Sequence, residues 1–326
     1  MPLPTEIDQY PSTRLLLRRQ IGRQKPKFWQ LRPGRVTDEW QWIWKQRPHL
    51  VIPMWERETF RYHDITRTKI GIAAVNRDPA LQMSELGISY LFDGSSVSGQ
   101  GDYFAVPNFQ YESDQATVVP ARTYIFWFRV TDNSGNAFQY FMAQGQINQA
   151  SSLNIYLRED AASAPVGGIT FNFLAASGGG TQGHFTHLPA GGWADGRWHC
   201  MIWTHGPAKV ARGYMDGLLR VTGSVAPGTG WNPTAEIRFG ADGTATPSTN
   251  RFFKGQMAFI GIFRGEWTAG QVAAYYAAPW GFLTPKRGPL IGSRPADTNP
   301  DPPGTGQPMS ARRGYRPHVG PRFGVN

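Results

Sequence analysis

Cysteine, charge and long apolar runs are all scarce in this chain. A single cysteine, Cys200, among 326 residues leaves no partner for an internal disulfide. A disulfide-stapled scaffold is therefore excluded, and folding in a reducing compartment is expected. No apolar run approaches the roughly 18 residues of a membrane-spanning helix, and the first residues lack the basic-then-apolar order of a secretory signal. The sequence thus predicts no membrane partner.

Charged residues make up only 17% of the chain, and the net charge of +10 comes from its two ends. Residues 1–49 carry ten Lys/Arg and four Asp/Glu, residues 284–326 carry seven and two, and residues 50–283 carry sixteen and seventeen. A nucleic-acid-binding fold needs a basic face, and the neutral central segment does not supply one. We therefore expect a neutral domain with two basic arms, and nucleic acid is not an expected partner.

Glycine (38), proline (26) and aromatic residues (13%) are abundant. Short strand-like segments lie between turn residues such as Gly, Pro, Asn and Asp. This profile is typical of an all-β protein. In residues 153–158 and 169–175, apolar side chains alternate with mostly polar ones. This alternation predicts half-buried antiparallel strands. Residues 123–130 are apolar on both faces, which predicts a central strand covered on both sides. Further strands are predicted at 88–92, 103–109, 138–143, 197–205, 213–215, 218–222, 235–240 and 252–264.

One short helix is predicted near the end of the central segment. Thr268 and Gln271 have the spacing of a capping box, and Trp267 before the cap can pack on Val272. Pro279 stops the helix. We expect this helix to pack on the sandwich formed by residues 50–283, which have an acceptable length for one domain.

Residues 1–49 form a predicted N-terminal arm in which basic and aromatic side chains interleave. Trp40, Trp42 and Trp44 recur at every second residue, which predicts a strand. So many aromatic residues favour an arm held by its own domain or by neighbouring subunits, and the alternative is a solvated leader. The residues assigned to partner contacts are Arg14, Arg18, Arg19, Arg23, Phe28 and Trp29.

Residues 284–326 form a predicted C-terminal tail that is rich in Pro and Gly and has no apolar periodicity, so no separate core is expected there. Its arginines interleave with aromatic residues, a pattern that suits docking on a partner by stacking and ion pairing. A solvated tail fits the composition equally well. The residues assigned to partner contacts are Arg312, Arg313, Tyr315 and Arg316.

The order of short motifs in the central segment resembles the concanavalin A-like, laminin-G-type jelly roll. The motifs are 87–94 (GISYLFDG), 101–107 (GDYFAVP), 123–130, 195–199 (DGRWH), 213–217 (GYMDG), 237–240 and 252–257, followed by the closing helix. The resemblance covers about residues 50–283. It implies an antiparallel two-sheet sandwich with the signature residues Asp93, Gly94, Trp198, His199, Asp216, Gly217 and Gly255.

Some enzymes of this fold carry closely spaced carboxylates on one strand. Glu56 and Glu58 share a face here, but no third carboxylate follows. His199 and Cys200 are neighbours on a predicted strand and point to opposite faces, so they cannot form a nucleophile pair. The glycine-rich loop predicted at 177–183 lacks the lysine and following helix of a phosphate cradle. We therefore expect no catalytic activity.

Metal and cofactor sites find little support in the sequence. His184 and His187 have no nearby third ligand, which favours a loop with two surface histidines. Calcium is used by some laminin-G-type domains, and it would lie among loop acids at strand ends. Turn chemistry accounts for each of these acids equally well, so no cofactor is expected. The acids are Asp93, Asp102, Asp132, Asp216 and Asp242.

Residues 50–64 and the ending 275–282 (YYAAPWGF) are similar to versions found in tailed-bacteriophage virion proteins. This resemblance implies a non-enzymatic virion protein, such as a capsid decoration or a head or tail accessory protein. We expect its arms to bind other virion proteins, and the chain to form a homo-oligomer on the particle. The alternative is a glycan-binding, lectin-like module for host attachment, with Trp231 and Asn232 as the candidate contacts.

Overall fold

The computed structural model describes residues 40–45, 48–54, 73–75, 79–95, 101–106, 121–131, 138–145, 152–158, 168–174, 180–184, 192–208, 210–224, 236–243 and 251–283. Within these residues, two α-helices, α1 (Gln41–Lys45) and α2 (Ala269–Ala277), and a 3₁₀ turn (Gly281–Leu283) accompany the strands. The described strands are β1 Leu50–Ile52, β2 Ala73–Val75, β3 Ala80–Ser84, β4 Gly87–Asp93, β5 Tyr103–Val106, β6 Arg122–Arg129, β7 Phe138–Gln144, β8 Ser152–Arg158, β9 Ile169–Leu174, β10 Gly180–His184, β11 Trp198–His205, β12 Val210–Met215, β13 Leu218–Ser224, β14 Ile237–Phe239 and β15 Lys254–Arg264.

These strands form two antiparallel sheets, which confirms the predicted all-β sandwich. The eight-stranded sheet has the order β13-β12-β11-β6-β15-β4-β3, with β1 also pairing with β15. The seven-stranded sheet has the order β10-β9-β8-β7-β14-β5-β2. Seven of the thirteen described pairings join strands that are not consecutive in the chain, so the fold depends on long-range pairings such as β6 with β15.

Aromatic side chains fill the space between the two sheets. Phe128 of β6 and Phe141 of β7 lie with their ring centroids 4.7 Å apart, edge to face. Phe171 of β9 stacks on Trp203 of β11 at 4.9 Å. All four side chains are 2% exposed or less. Burial of this apolar surface is the main stabilising contribution to the sandwich.

A second apolar layer covers the outer face of the eight-stranded sheet. Trp127 of β6 lies in this layer, stacks on Tyr276 of α2 and donates from Nε1 to the hydroxyl of Tyr275 at 3.2 Å. Trp42 of α1 packs edge to face on Trp267 with a centroid distance of 4.9 Å. Strand β6 is therefore covered on both faces, as its apolar run predicts.

Helix α2 begins and ends where its sequence predicts. The Thr268 side chain accepts a hydrogen bond from the backbone N–H of Gln271, and the Gln271 side chain accepts one from the backbone N–H of Thr268. This is the reciprocal capping box. Val272 and Tyr275 are buried, and they lie in the same apolar cluster as Trp267.

The strand predicted from Trp40, Trp42 and Trp44 is wrong. Residues 41–45 form one helical turn, α1, preceded by a 3₁₀ residue at Trp40. Trp40 and Ile43 are buried, and Trp44 donates from Nε1 to the carbonyl of Phe282 at 2.9 Å. The side chains at positions 40, 43 and 44 fit a helical face as well as the tryptophans fit a strand. Packing on Trp267 and on the 3₁₀ turn therefore decides the conformation.

Four described strands lie outside the predicted set: β1, β2, β3 and β10. The glycine-rich segment predicted as a loop contributes Gly180–His184, which pair with β9 as β10. Glycine has low strand propensity, but the backbone groups of β9 supply hydrogen-bonding partners that a short-range pattern does not show. His184 therefore lies in a strand and not in a loop.

Candidate functional site

The outer face of the seven-stranded sheet carries buried polar side chains. Side chains alternate along a strand, and Leu153, Ile155 and Leu157 of β8 belong to the core between the sheets. Asn154 and Tyr156 consequently point away from that core. They are nevertheless buried, so the half-buried strand predicted for 153–158 is buried on both faces.

A row of aromatic rings crosses this outer face. Tyr140 of β7 lies opposite Tyr156 of β8, with ring centroids 5.1 Å apart and an interplanar angle of 35°. Phe138 meets Tyr156 edge to face at 5.4 Å. Tyr103, two residues from Ala105 on β5, lies beneath the guanidinium of Arg238, whose Cζ is 5.4 Å from the ring centroid.

A second row beside the aromatic rings combines polar and very small side chains. Asn154 lies opposite Ala143 of β7, Ala143 lies opposite Arg238 of β14, and Arg238 lies opposite Ala105 of β5. The two alanines have short side chains, so the Asn154 amide and the Arg238 guanidinium extend further from the sheet than their neighbours in this row. The two rows place ring faces alongside donors and acceptors of hydrogen bonds.

Four polar atoms on this face have no hydrogen-bond partner. They are the Tyr140 hydroxyl, the Ser152 hydroxyl, and both Oδ1 and Nδ2 of Asn154. The three residues are 0% exposed. A buried polar atom without a partner costs about 1–3 kcal/mol, and native proteins keep few of them. These four atoms therefore keep an unused capacity for hydrogen bonds.

Arginines and acids surround the aromatic row. The Cζ atoms of Arg158 and Arg251 lie 5.5 and 5.8 Å from the Phe138 centroid. Arg251 also pairs with the buried carboxylate of Asp242 at 3.2 Å. Burial raises the pKa of Tyr140 far above its usual range. Its hydroxyl therefore stays protonated and remains able to donate a hydrogen bond.

His199 forms a separate polar cluster at the end of the eight-stranded sheet. Its Nδ1 lies 2.8 Å from Asp216 Oδ2, and its Nε2 lies 3.0 Å from Asp195 Oδ1. Burial of the ring opposes protonation, but the carboxylates of Asp216 and Asp195 outweigh it and raise the pKa of His199 to about 9. His199 is therefore an imidazolium at neutral pH that joins the 192–197 turn to the β12–β13 hairpin.

The signature residues Asp216 and Gly217 form that hairpin turn. Both have positive φ, 54° and 81°, which the tightest two-residue hairpin turns require. Asp216 also accepts a hydrogen bond through Oδ1 from the backbone N–H of Cys200 at 2.9 Å. One aspartate thus shapes the turn, binds the neighbouring strand and holds the histidine.

The remaining signature residues have structural contacts. Asp93 accepts through Oδ1 from the backbone N–H groups of Ser95 and Asp102, and Gly94 follows it with positive φ. A Cβ on Gly255 would lie 2.5 Å from the Arg129 carbonyl oxygen. Trp198 shares its side of β11 with Cys200 and Ile202 and donates from Nε1 to the Glu85 carboxylate at 2.8 Å.

Comparison with known proteins identifies the family. The profile described as the concanavalin A-like lectin/glucanases superfamily matches residues 98–273. The chain belongs to this superfamily. No curated protein sequence matches the chain significantly.

Solved structures with this superfamily fold agree. The binding domain of Paraclostridial Mosquitocidal Protein 1 is 13% identical, with a TM-score of 0.54, and the match covers 71% of this chain and 52% of that one. The binding domain of botulinum neurotoxin serotype D is 11% identical, with a TM-score of 0.56, covering 75% of this chain and 56% of that one. At this identity the likeness shows the fold, and this chain spans about half of each relative.

The structure does not place all of the predicted site residues of this superfamily member. The candidate glycan contacts Trp231 and Asn232 lie outside the described residues, and so does His187. The predicted arm contacts lie outside them as well: Arg14, Arg18, Arg19, Arg23, Phe28, Trp29, Arg312, Arg313, Tyr315 and Arg316. The part of the chain that the structure describes contains no group of three or more His, Cys, Asp or Glu residues that could hold a metal. Among the same residues, no helix is both long and apolar enough to span a membrane.

The sequence predicts that the polar side chains of β8 share one face of the sheet, but it does not predict that the face is buried. Asn154, Tyr156 and Arg158 alternate with Leu153, Ile155 and Leu157, and such polar positions are ordinarily solvated. Their burial and the missing partners of Asn154 emerge only from the packing of the folded chain. Tyr140 and Ser152 join them through the strand registers of β7, β8 and β9.

Proposed function

We propose that this chain is a glycan-binding, lectin-like domain whose site is the outer face of the seven-stranded sheet. The observation that carries the proposal is the set of buried polar atoms without partners on Tyr140, Ser152 and Asn154, beside a row of aromatic rings. A neutral sugar presents apolar C–H faces next to hydroxyl groups. The aromatic rings can pack against the C–H faces, and the unpaired polar groups can form hydrogen bonds with the hydroxyls.

The chemistry of the unpaired groups on Asn154, Ser152 and Tyr140 matches a polyhydroxylated ligand. The Asn154 amide can donate two hydrogen bonds and accept others, and the hydroxyls of Ser152 and Tyr140 can each donate or accept. A sugar hydroxyl has the same dual character. A bound sugar would satisfy groups whose unpaired burial is costly, and each neutral hydrogen bond would contribute about 0.5–1.5 kcal/mol.

Access to the face requires a change in the chain. Tyr140, Ser152 and Asn154 have no exposed surface in this structure. A ligand therefore reaches them only when the face opens, and we expect slow association for this reason.

The family and the solved relatives support this proposal. The superfamily is described by its lectins and glucanases. Relatives include a botulinum neurotoxin DC binding domain solved in complex with rat synaptotagmin II and the same domain in complex with SialylT. We therefore propose glycan binding in preference to the other roles. Attachment to a phage particle through basic arms stays a prediction from the sequence, as do the non-enzymatic character and the location in a virion.

A glycan array screened with the full chain, followed by titration of the best ligand, tests the proposal. Asn154→Leu should weaken binding at least tenfold, because it removes several hydrogen bonds. It should not lower the free energy of unfolding, because the amide has no protein partner to lose. Ser152→Ala should weaken binding about threefold to tenfold.

Ser89→Ala is the matched control for the serine variant. Ser89 is also fully buried, but it lies in the eight-stranded sheet and donates to the carbonyl of Gln82 at 3.1 Å. We expect it to leave glycan binding unchanged. The proposal is refuted if the array shows no binding. It is also refuted if Asn154→Leu binds the selected ligand as tightly as the parent chain.

A further inference from the structure

Strand β3 is an exposed edge of the eight-stranded sheet. Leu81 is 40% exposed and Met83 is 66% exposed, and Ala80 and Gln82 are exposed as well. Among the described strands, β3 pairs only with β4. Its other side presents the backbone donors and acceptors of an unpaired strand edge.

Natural sheets protect such edges with charged residues, proline or bulges, and β3 has none of these. Its five residues, ALQMS, carry no charge, no proline and no glycine, and its register with β4 is continuous. The opposite edge strand, β13, differs because it carries Arg220 and lies against β10 of the other sheet. Among the described strands, the order from β13 to β3 therefore has one covered end, β13, and one open end, β3.

The exposed apolar side chains of β3 share one face. Leu81 lies opposite Tyr90 of β4 and Met83 lies opposite Ile88. Tyr90 belongs to the core between the sheets, so Leu81 and Met83 continue that core beyond the part that is covered. Gln82, opposite Ser89, points to the other face.

We propose that β3 pairs antiparallel with β3 of a second copy of this chain, about a two-fold axis at Gln82. This register places Leu81 opposite Met83 of the second copy, twice, and Ala80 opposite Ser84. Each exposed apolar side chain then contacts the other on the same face. A two-fold axis at Met83 would instead place Leu81 opposite Glu85, which would bury a charge against leucine.

A second copy fits this edge because a two-fold interface brings every residue near its own equivalent. A strand with charged residues near the axis would repel its copy, whereas β3 has no charge to repel. A partner of different sequence would ordinarily be selected by complementary charges, and β3 offers none. Five paired residues bury less than the roughly 800 Å² per partner of a stable interface. The dimer is accordingly weak and depends on concentration.

Disulfide trapping in the full chain tests the proposed register. The Gln82→Cys variant places two thiols directly opposite each other, where cross-strand Cβ atoms lie about 4.5–5.5 Å apart, close to disulfide range. Native Cys200 is fully buried and does not compete. The control Ala80→Cys is on the same exposed strand, but its equivalent lies about 13 Å away along the strand.

We expect mild oxidation of concentrated protein to cross-link Gln82→Cys at least tenfold faster than Ala80→Cys. Equal cross-linking of both variants, or none of either, would overturn the proposal. Sedimentation velocity supplies a second readout. Met83→Lys should weaken dimerisation at least tenfold, whereas Leu219→Lys, at a 51% exposed leucine on the covered edge, should not. A parent chain that stays monomeric at millimolar concentration would equally overturn it.

Discussion

Replacing His199 with glutamine tests the charged cluster formed with Asp195 and Asp216. The folded chain raises the pKa of His199 from 6.5 to about 9, and each pKa unit corresponds to about 1.4 kcal/mol. The imidazolium therefore contributes about 3 kcal/mol to the free energy of unfolding. The side chain is 97% buried, with 3% exposed, so solvent screening does not reduce this figure greatly.

The sign of the pH dependence follows from the direction of the shift. The folded state holds its proton more tightly than the unfolded state, so the full contribution is present below pH 6.5. It is lost as the pH rises through about 9. We expect His199→Gln to be destabilised by about 3 kcal/mol at pH 6 and by much less at pH 9.5.

Urea unfolding of both proteins, followed by tryptophan fluorescence between pH 6 and 9.5, measures this difference. Subtracting the two curves cancels other titrations, including that of Cys200, whose pKa is raised by burial. Asp216→Asn should act in the same direction, because Asp216 is the nearer carboxylate. Parallel curves for the parent and His199→Gln would refute the reasoning, since they would show that His199 carries no shifted proton.

Two further predictions concern acid stability and the helix cap. Burial, followed by the nearby charge of Arg122, lowers the pKa of His205 to about 3, so stability should be lost as the pH falls below 6.5, by about 3 kcal/mol at pH 4. His205→Phe can keep the stacking on Tyr124, and thermal melts should show that it no longer loses this stability at acid pH. An unchanged acid sensitivity would contradict the role assigned to His205. Thr268→Ala should cost about 1 kcal/mol through loss of the capping box, measured by urea unfolding, whereas Thr222→Ala at an exposed strand position should cost less than 0.5 kcal/mol.

Helix α2 shows what local pattern can predict. Thr268, Gln271 and Pro279 lie within twelve residues of each other, and the cap depends only on side chains and backbone groups of the same turn. The turn at Asp216 and Gly217 is also local, because it depends on the positive φ that these two residues adopt. Predictions of this kind need no knowledge of distant packing.

The tryptophans before the domain show where local pattern fails. Trp40, Trp42 and Trp44 fit a strand by their spacing, and Trp40, Ile43 and Trp44 fit a helix equally well. The choice depends on contacts with Trp267 and Phe282, more than 200 positions away. A short-range pattern holds no information about such partners.

The candidate site illustrates the same division. The alternation of 153–158 predicts that Asn154, Tyr156 and Arg158 share one face. It does not predict that this face is buried, or that Tyr140 lies opposite Tyr156. The glycan contact predicted at Trp231 and Asn232 relied on exposed loop residues. The sheet face is a candidate because the folded chain buries polar atoms of Tyr140, Ser152 and Asn154 without hydrogen-bond partners.

The sequence alone determined the all-β class, most of the strands, the capped helix and the neutral charge of the domain. These follow from side-chain periodicity, turn residues and composition, which act over a few positions. Tertiary structure decided which strand edges stay open, which polar groups are buried without partners, and that His199 lies between Asp195 and Asp216. Each of these depends on which strands become neighbours, and long-range pairing is a property of the whole chain.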